Sequence, residues 1–349
     1  MSLEDNIRKV TPYTPGEQPQ RKVIKLNTNE CPYPPSPKVK EALLNLDADR
    51  LRLYPDPACH ELVSAIARHY GLADDEVFVG VGSDDVLSMC FLTFFAGERP
   101  ILFPDITYSF YEVWADVYRI PFETVPLADD LSIKAEDYLK PNGGIVIANP
   151  NAPTGVAESL DTLEYIIKNN QDSVVIIDEA YVDFGAKTAL PLLKKYDNVI
   201  IARTTSKSRA LAGLRVGYAF GSKKLIKYLN DVKFSVNSYT MNLPALKAGK
   251  AAIEDSFYFE ETVDKVIETR EQTKAALKKL GFTFRDSMTN FIFSTHPDKN
   301  AKEIFEQLKK RDIYVRYFDK PRINNYLRIS IGTDEEMKTF IEQLTEIIK

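Results

Sequence analysis

Val174-Val175-Ile176-Ile177-Asp178-Glu179-Ala180-Tyr181 is an unbroken β-branched run that stops on two acids. A strand with one face in water alternates apolar and polar residues. A continuous run instead fits a strand covered on both faces, as in a parallel sheet packed between helices. Similar runs lie to either side at Val77–Val81, Ile101–Phe103, Ile145–Ala148, Val199–Ala202 and Val216–Phe220. Between them the apolar spacing predicts helices over His60–Tyr70, Val86–Phe95 and Leu160–Asn169. Strand–helix alternation of this kind implies an α/β domain with a mostly parallel sheet flanked by helices.

The ends of the chain read differently. The first residues are rich in Pro and Asn and predict an extended arm over 1–38. Residues 39–242 form the large domain. Residues 243–349 carry charged helices such as Val263–Leu280, strands near Phe291–Phe293, Ile313–Val315 and Tyr326–Ile331, and a closing helix over Asp334–Ile348. With the arm, they predict a smaller α+β domain.

Composition narrows the function classes. A chain of 349 residues that is 44% hydrophobic and 27% charged is ordinary for a soluble globular protein with a sizeable core. A net charge of −5 argues against a general nucleic-acid binder. No stretch is long and apolar enough to predict a membrane span, and Met1-Ser2-Leu3-Glu4-Asp5 lacks the layout of a secretory signal. Cys31, Cys59 and Cys90 are scattered, which favours a reducing, cytoplasmic setting over a disulfide framework. His60, His69 and His296 show no metal-ligand spacing, so no metal site is expected.

Ligands of open α/β sheets sit beyond the carboxyl ends of the strands, and four segments stand there. In Thr204-Thr205-Ser206-Lys207-Ser208-Arg209, continuing through Gly213-Leu214-Arg215, a lysine follows a buried strand. Neighbouring cations favour a neutral, nucleophilic amine, and the hydroxyls with Arg215 could hold a phosphate; a solvated turn lysine is the plain alternative. Asp178, ending its strand, could hold a protonated ring nitrogen, or serve as a helix cap or magnesium ligand. Asn149-Pro150-Asn151-Ala152-Pro153-Thr154-Gly155 is a rigid turn with amide side chains free to donate. Gly80-Val81-Gly82-Ser83-Asp84-Asp85 resembles a dinucleotide fingerprint but has Asp85 where the third glycine belongs; it can still offer backbone N–H groups to one phosphate.

Taken in order, these segments resemble the fold-type-I, aspartate-aminotransferase-like (class II) family of pyridoxal-phosphate enzymes. Thr11-Pro12-Tyr13, Leu26-Asn27-Thr28-Asn29-Glu30, Arg52-Leu53-Tyr54-Pro55-Asp56, Thr107-Tyr108, Thr289-Asn290-Phe291 and Leu327-Arg328-Ile329-Ser330 extend the likeness nearly end to end. The resemblance implies pyridoxal 5'-phosphate as cofactor. Lys207 would form the Schiff base, Asp178 pair with the ring nitrogen, Tyr181 and Asn151 bond the ring oxygen, and Tyr108 stack on the ring. Ser83, Asp84, Ser206 and Arg215 would cup the phosphate, with Tyr54 reaching it from the neighbouring subunit of a homodimer. Arg328, with Arg316, Tyr13 and Asn29, would meet the substrate. The implied activity is exchange of an amino group between 2-oxoglutarate and histidinol phosphate, with an aromatic-amino-acid aminotransferase or a threonine-phosphate decarboxylase as the alternative on the same scaffold. One position departs from the pattern: Ala152 stands where the family has asparagine, which leaves Asn151 or Tyr181 to serve the ring oxygen.

Overall fold

A computed structural model describes residues 2–349. In chain order its main elements begin with β1 (Ile24–Lys25), α1 (Pro37–Leu44), α2 (His60–Tyr70), β2 (Val77–Gly80), α3 (Gly82–Phe94), β3 (Ile101–Pro104), α4 (Phe110–Tyr118) and β4 (Phe122–Val125). There follow β5 (Gly144–Ala148), α5 (Leu160–Lys168), β6 (Val175–Asp178), β7 (Val199–Thr204), β8 (Gly217–Gly221), α6 (Lys223–Val236) and α7 (Leu243–Glu254). The chain closes with α8 (Ser256–Lys279), β9 (Thr283–Phe284), β10 (Phe291–Thr295), α9 (Ala301–Lys310), β11 (Ile313–Tyr314), β12 (Arg316–Tyr317), β13 (Leu327–Ser330) and α10 (Asp334–Ile348).

Seven strands form the central sheet in the order β2-β8-β7-β6-β5-β3-β4. Only β8 runs against the rest, pairing antiparallel with both β2 and β7. The β6 run explains itself here. Val175 and Ile177 face one helical layer, with Leu62, Ile66, Leu163 and Ile167. Ile176 faces the other, with Val86, Phe91 and Trp114. Each fully buried Val or Ile contributes about 1.5–3 kcal/mol, so both faces reward apolar residues and alternation disappears.

A four-stranded antiparallel sheet, β12-β13-β10-β9, forms the smaller layer. It packs under α8, α9 and α10 through Val266, Ile304, Leu308, Ile329 and Phe340. The arm is tied to it by β1, which pairs parallel with β11, and by Leu26 in the same core.

Several elements differ from the sequence expectation. The helix expected from Val86 starts at Gly82, because its first turn is polar and carries no apolar period. The edge strand β4 and helix α4 had no clear signal; Phe122 of β4 is exposed. The single strand expected at Ile313–Val315 is split between two sheets, β11 pairing with β1 and β12 with β13. Helix α7, assigned from sequence to the unit beginning at residue 243, packs against α1 and α2 and adds Ala245, Leu246 and Ile253 to the large core.

Candidate active site

The carboxyl ends of β5, β6 and β7 open into a cavity of about 1020 Å³, closed on its far side by the arm and by the segment around Arg316–Arg328. Lys207, Asp178, Tyr108, Ser83, Asp84, Tyr181, Ser206, Arg215, Tyr13, Asn29, Arg316 and Arg328 all line it. Asp178 lies on the α4 side of its strand, buried. Its Oδ2 accepts from the Tyr111 hydroxyl at 2.8 Å and its Oδ1 from the Ala180 N–H at 3.1 Å. Among the described residues it has no cationic partner within an ion-pair distance. Burial pushes its carboxyl up to about 6, although both donors favour the charged form. Tyr111 was not singled out from sequence; an aromatic inside an apolar helix looks like core until the fold aims its hydroxyl.

Lys207 follows Ser206 in the loop after β7. Its Nζ donates to the Thr28 carbonyl at 3.1 Å and stands 5.8 Å from the centre of the Tyr181 ring. The Tyr181 hydroxyl accepts from Asn29 Nδ2 at 2.9 Å. The other amide atom of Asn29 accepts from Ser330 Oγ, so Asn29 joins the arm to β13 and orients Tyr181.

One end of the cavity is shaped by glycine. Gly82 has φ of +81°, and a Cβ there would fall 2.4 Å from Arg215 Nη2. A Cβ on Gly217 would fall 2.2 Å from the Gly82 carbonyl carbon. Without side chains, the first turn of α3 and the Arg215 guanidinium share one small cradle, with free helix N–H groups facing it. Arg215 donates to Ser206 Oγ at 3.3 Å and to Asp84 Oδ2 at 3.1 Å, and Tyr108 donates to Asp84 Oδ1 at 2.8 Å. Burial and the Asp84 carboxylate together hold the Tyr108 phenol well above its ordinary range, so it stays protonated.

At the opposite end Arg328 and Arg316 face the cavity. Arg328 Nη2 donates to the Asn27 carbonyl at 2.8 Å, and its guanidinium lies over Phe291 and Phe318 at 5.4 and 5.6 Å. Its Nε is buried with no hydrogen-bond partner. Arg316 reaches the Thr14 carbonyl at 3.4 Å. Tyr13 stacks on Phe110 at 4.2 Å. Glu30, also lining the cavity, accepts from Lys25 and Thr28, and those contacts keep its carboxyl below the usual range despite burial.

Other expectations are corrected. Asn151 does not line the cavity: its Nδ2 donates to the Ile106 carbonyl and to Thr154 Oγ1, and its Oδ1 accepts from Thr107. Neither Asn149 nor Asn151 is free to donate, because the Asn149 amide is spent on the Glu158 carbonyl and that of Asn151 on the Ile106 carbonyl. Arg209 points away from the site, donating to the Ala252 carbonyl at 2.5 Å and packing over Phe259 at 4.0 Å. By contrast, the expectation for Tyr54 concerned a neighbouring subunit's site; in its own chain it lies outside the cavity, 81% exposed and stacked on Tyr239.

An amine and a buried acid share one cavity at the edge of a parallel sheet, with an anion cradle at one end and arginines at the other. The chain belongs to the class I and II aminotransferase family, which matches residues 21–344. It is 51% identical to the histidinol-phosphate aminotransferase of Lactococcus lactis subsp. cremoris strain SK11, over 100% of this chain and 98% of that one. It is 52% identical to that of Clostridium beijerinckii, over 99% and 96%. Among solved structures it superposes with TM-score 0.86 on histidinol-phosphate aminotransferase from Sinorhizobium meliloti in complex with pyridoxal-5'-phosphate, at 26% identity, covering 94% and 92%. The residues present fit that cofactor: a buried carboxylate suits a cationic ring nitrogen, and the glycine cradle with Arg215 suits a phosphate. No helix of the described residues is long and apolar enough to cross a membrane.

Proposed function

We propose that this chain exchanges an amino group between histidinol phosphate and 2-oxoglutarate, yielding imidazole acetol phosphate and L-glutamate, with pyridoxal 5'-phosphate held by Lys207. The observation that carries the reading is the pairing of Lys207 and Asp178 in one cavity, with Arg316 and Arg328 at its far wall. The two bacterial relatives, each about half identical along the whole chain, point to the substrate.

Bound pyridoxal phosphate supplies an electron sink for the pair left when a substrate loses its Cα proton. The protein's residues do the rest. Lys207 Nζ would hold the cofactor through its aldehyde carbon, and as a neutral amine beside the substrate it would take the Cα proton and deliver it to the cofactor carbon beyond the imine nitrogen. Asp178, oriented by Tyr111 and Ala180, would hold the proton on the ring nitrogen. Tyr181 would donate a hydrogen bond to the ring oxygen, and Tyr108 would stack on the ring face. Ser83, Asp84, Ser206 and Arg215 would form the phosphate cup around the glycine cradle. Arg328 has an unpaired Nε and suits either a carboxylate or a phosphate, which lets one wall serve both half-reactions in turn. Tyr54 projects outward from the large domain, and in a homodimer it would reach the partner's phosphate cradle. A cytoplasmic setting agrees with the free cysteines.

The test has two parts. Borohydride reduction of the holoenzyme followed by peptide mapping should place the cofactor on Lys207. Amino transfer from histidinol phosphate should exceed that from phenylalanine or threonine phosphate; failure with histidinol phosphate would remove the substrate assignment.

A further inference from the structure

Lys207 sits on a loop, and loops hold position only where something anchors them. This loop's next residue, Ser208, is buried and donates its hydroxyl to Asp183 Oδ2 at 2.5 Å. Asp183 lies in the short turn that follows β6, five residues beyond Asp178. Its other oxygen, Oδ1, accepts from Arg203 Nη1 at 3.2 Å. Arg203 is 4% exposed and stands at the end of β7, four residues before Lys207.

The same guanidinium binds the residue next to Asp178. Arg203 Nε donates to Glu179 Oε2 at 3.0 Å, and Glu179 also accepts from Thr188 Oγ1 at 2.8 Å and the Ala189 N–H at 2.5 Å. Arg203 Nη2 donates to Thr188 Oγ1 at 2.8 Å, and Nη1 reaches the Tyr70 hydroxyl at 3.2 Å. One planar cation therefore connects the neighbour of the acid to the neighbour of the amine, from behind the sheet. Its fork geometry fixes both carboxylates at once.

We infer that Asp183, oriented by Arg203, is a positioning residue for the transfer reaction: through Ser208 it sets where Lys207 Nζ stands relative to Asp178. The inference rests on the reading of Lys207 as the attaching amine. Proton transfer by a positioned amine is sensitive to displacement, and a misplacement of 1 Å costs about a hundred-fold. The lysine is tethered to its loop by a flexible stem, so its base must be fixed for its tip to be.

The experiment compares holoenzymes of wild type, Asp183→Asn, Ser208→Ala and Ser208→Thr. Expected is a fall in kcat of about ten-fold in Asp183→Asn and Ser208→Ala, with KM changed less than about two-fold, and recovery of most activity in Ser208→Thr. The induced circular dichroism of the near-visible cofactor band, relative to its absorbance, should fall in the two impaired variants and be restored in the threonine one. Unchanged dichroism in Asp183→Asn and Ser208→Ala would overturn the inference, whether activity holds or falls together with thermal stability. Where the band is present in wild type and lost in Lys207→Ala, that unchanged dichroism counts against the role of Asp183 and leaves the lysine reading standing. A wild type without the band would overturn the lysine reading and this inference with it.

Discussion

The Tyr111 hydroxyl donates to Asp178 Oδ2 at 2.8 Å from helix α4, across the face of the sheet on which the Asp178 side chain lies. A buried carboxylate with few donors loses stability in its charged form, and this phenol supplies one of the two it has. Tyr111→Phe should therefore weaken the charged state of Asp178 and its hold on a ring nitrogen. The expected outcome is a fall in kcat of roughly three- to ten-fold with little change in KM, because one hydrogen bond to a charged group contributes about 1.5–3 kcal/mol, only part of it expressed in the transition state. Steady-state kinetics with equal rates for the two proteins would show that Asp178 does not depend on this donor.

The same acid makes cofactor-free protein sensitive to pH. Its carboxyl is raised from 3.8 to about 6, with burial the largest cause. The native chain thus binds this proton more tightly than the unfolded chain, so the folded state is favoured at low pH and loses stability as pH rises through that interval. By pH 7 the loss reaches about 3 kcal/mol. In thermal melts of cofactor-free protein, Asp178→Asn should be clearly more stable than wild type at pH 8, and the gap should shrink to about 0.5 kcal/mol at pH 4. A gap of equal size at both pH values would point to a packing effect instead.

Gly82 combines a left-handed φ of +81° with a Cβ position 2.4 Å from Arg215. Alanine there meets backbone strain and a side chain that must withdraw from the cradle. We expect Gly82→Ala to weaken pyridoxal phosphate binding by roughly ten- to a hundred-fold, corresponding to about 1–3 kcal/mol of strain. Spectroscopic titration of the apoprotein measures this. Wild-type affinity in the variant would place the phosphate elsewhere.

Arg328 and Arg316 differ in setting: the first lies between Phe291 and Phe318 with a buried free Nε, the second borders the arm near Thr14. Arg328→Lys loses the planar fork and the aromatic contact together. Its kcat/KM should fall about a hundred-fold for glutamate and histidinol phosphate alike, since truncating a partner of a buried charge pair costs about 2–5 kcal/mol. Arg316→Lys should lose about ten-fold or less. Half-reaction kinetics with each substrate separate the two; a loss confined to one substrate in Arg328→Lys would mean that the partners use different arginines.

Much of this was visible in the chain. The run before Asp178 reads as buried on both faces because both faces are in fact covered, by α5 on one side and α4 on the other. Lys207, Arg215 and Gly82 stand at strand ends or a helix start, where local chemistry marks them. Asn151 misled, because a side-chain amide in a turn looks the same whether it faces a ligand or a neighbouring loop, here the one at Ile106 and Thr107. Tyr111, Asp183 and Arg203 gave no signal, since each matters through a partner 20 or more residues away in sequence.

What the sequence determined by itself is the alternation of elements, and with it a sheet whose strand ends carry the acid and the amine. That much follows from short-range periodicity and from residues whose chemistry is unusual for their place. The tertiary structure decided which side chains complete the site: that Asn151 turns inward, that Arg209 packs away, and that one buried guanidinium joins the acid's neighbour to the lysine's. Those outcomes depend on which groups meet when distant strands are brought to hydrogen-bonding distance, and a buried polar group takes whatever partner lies within reach.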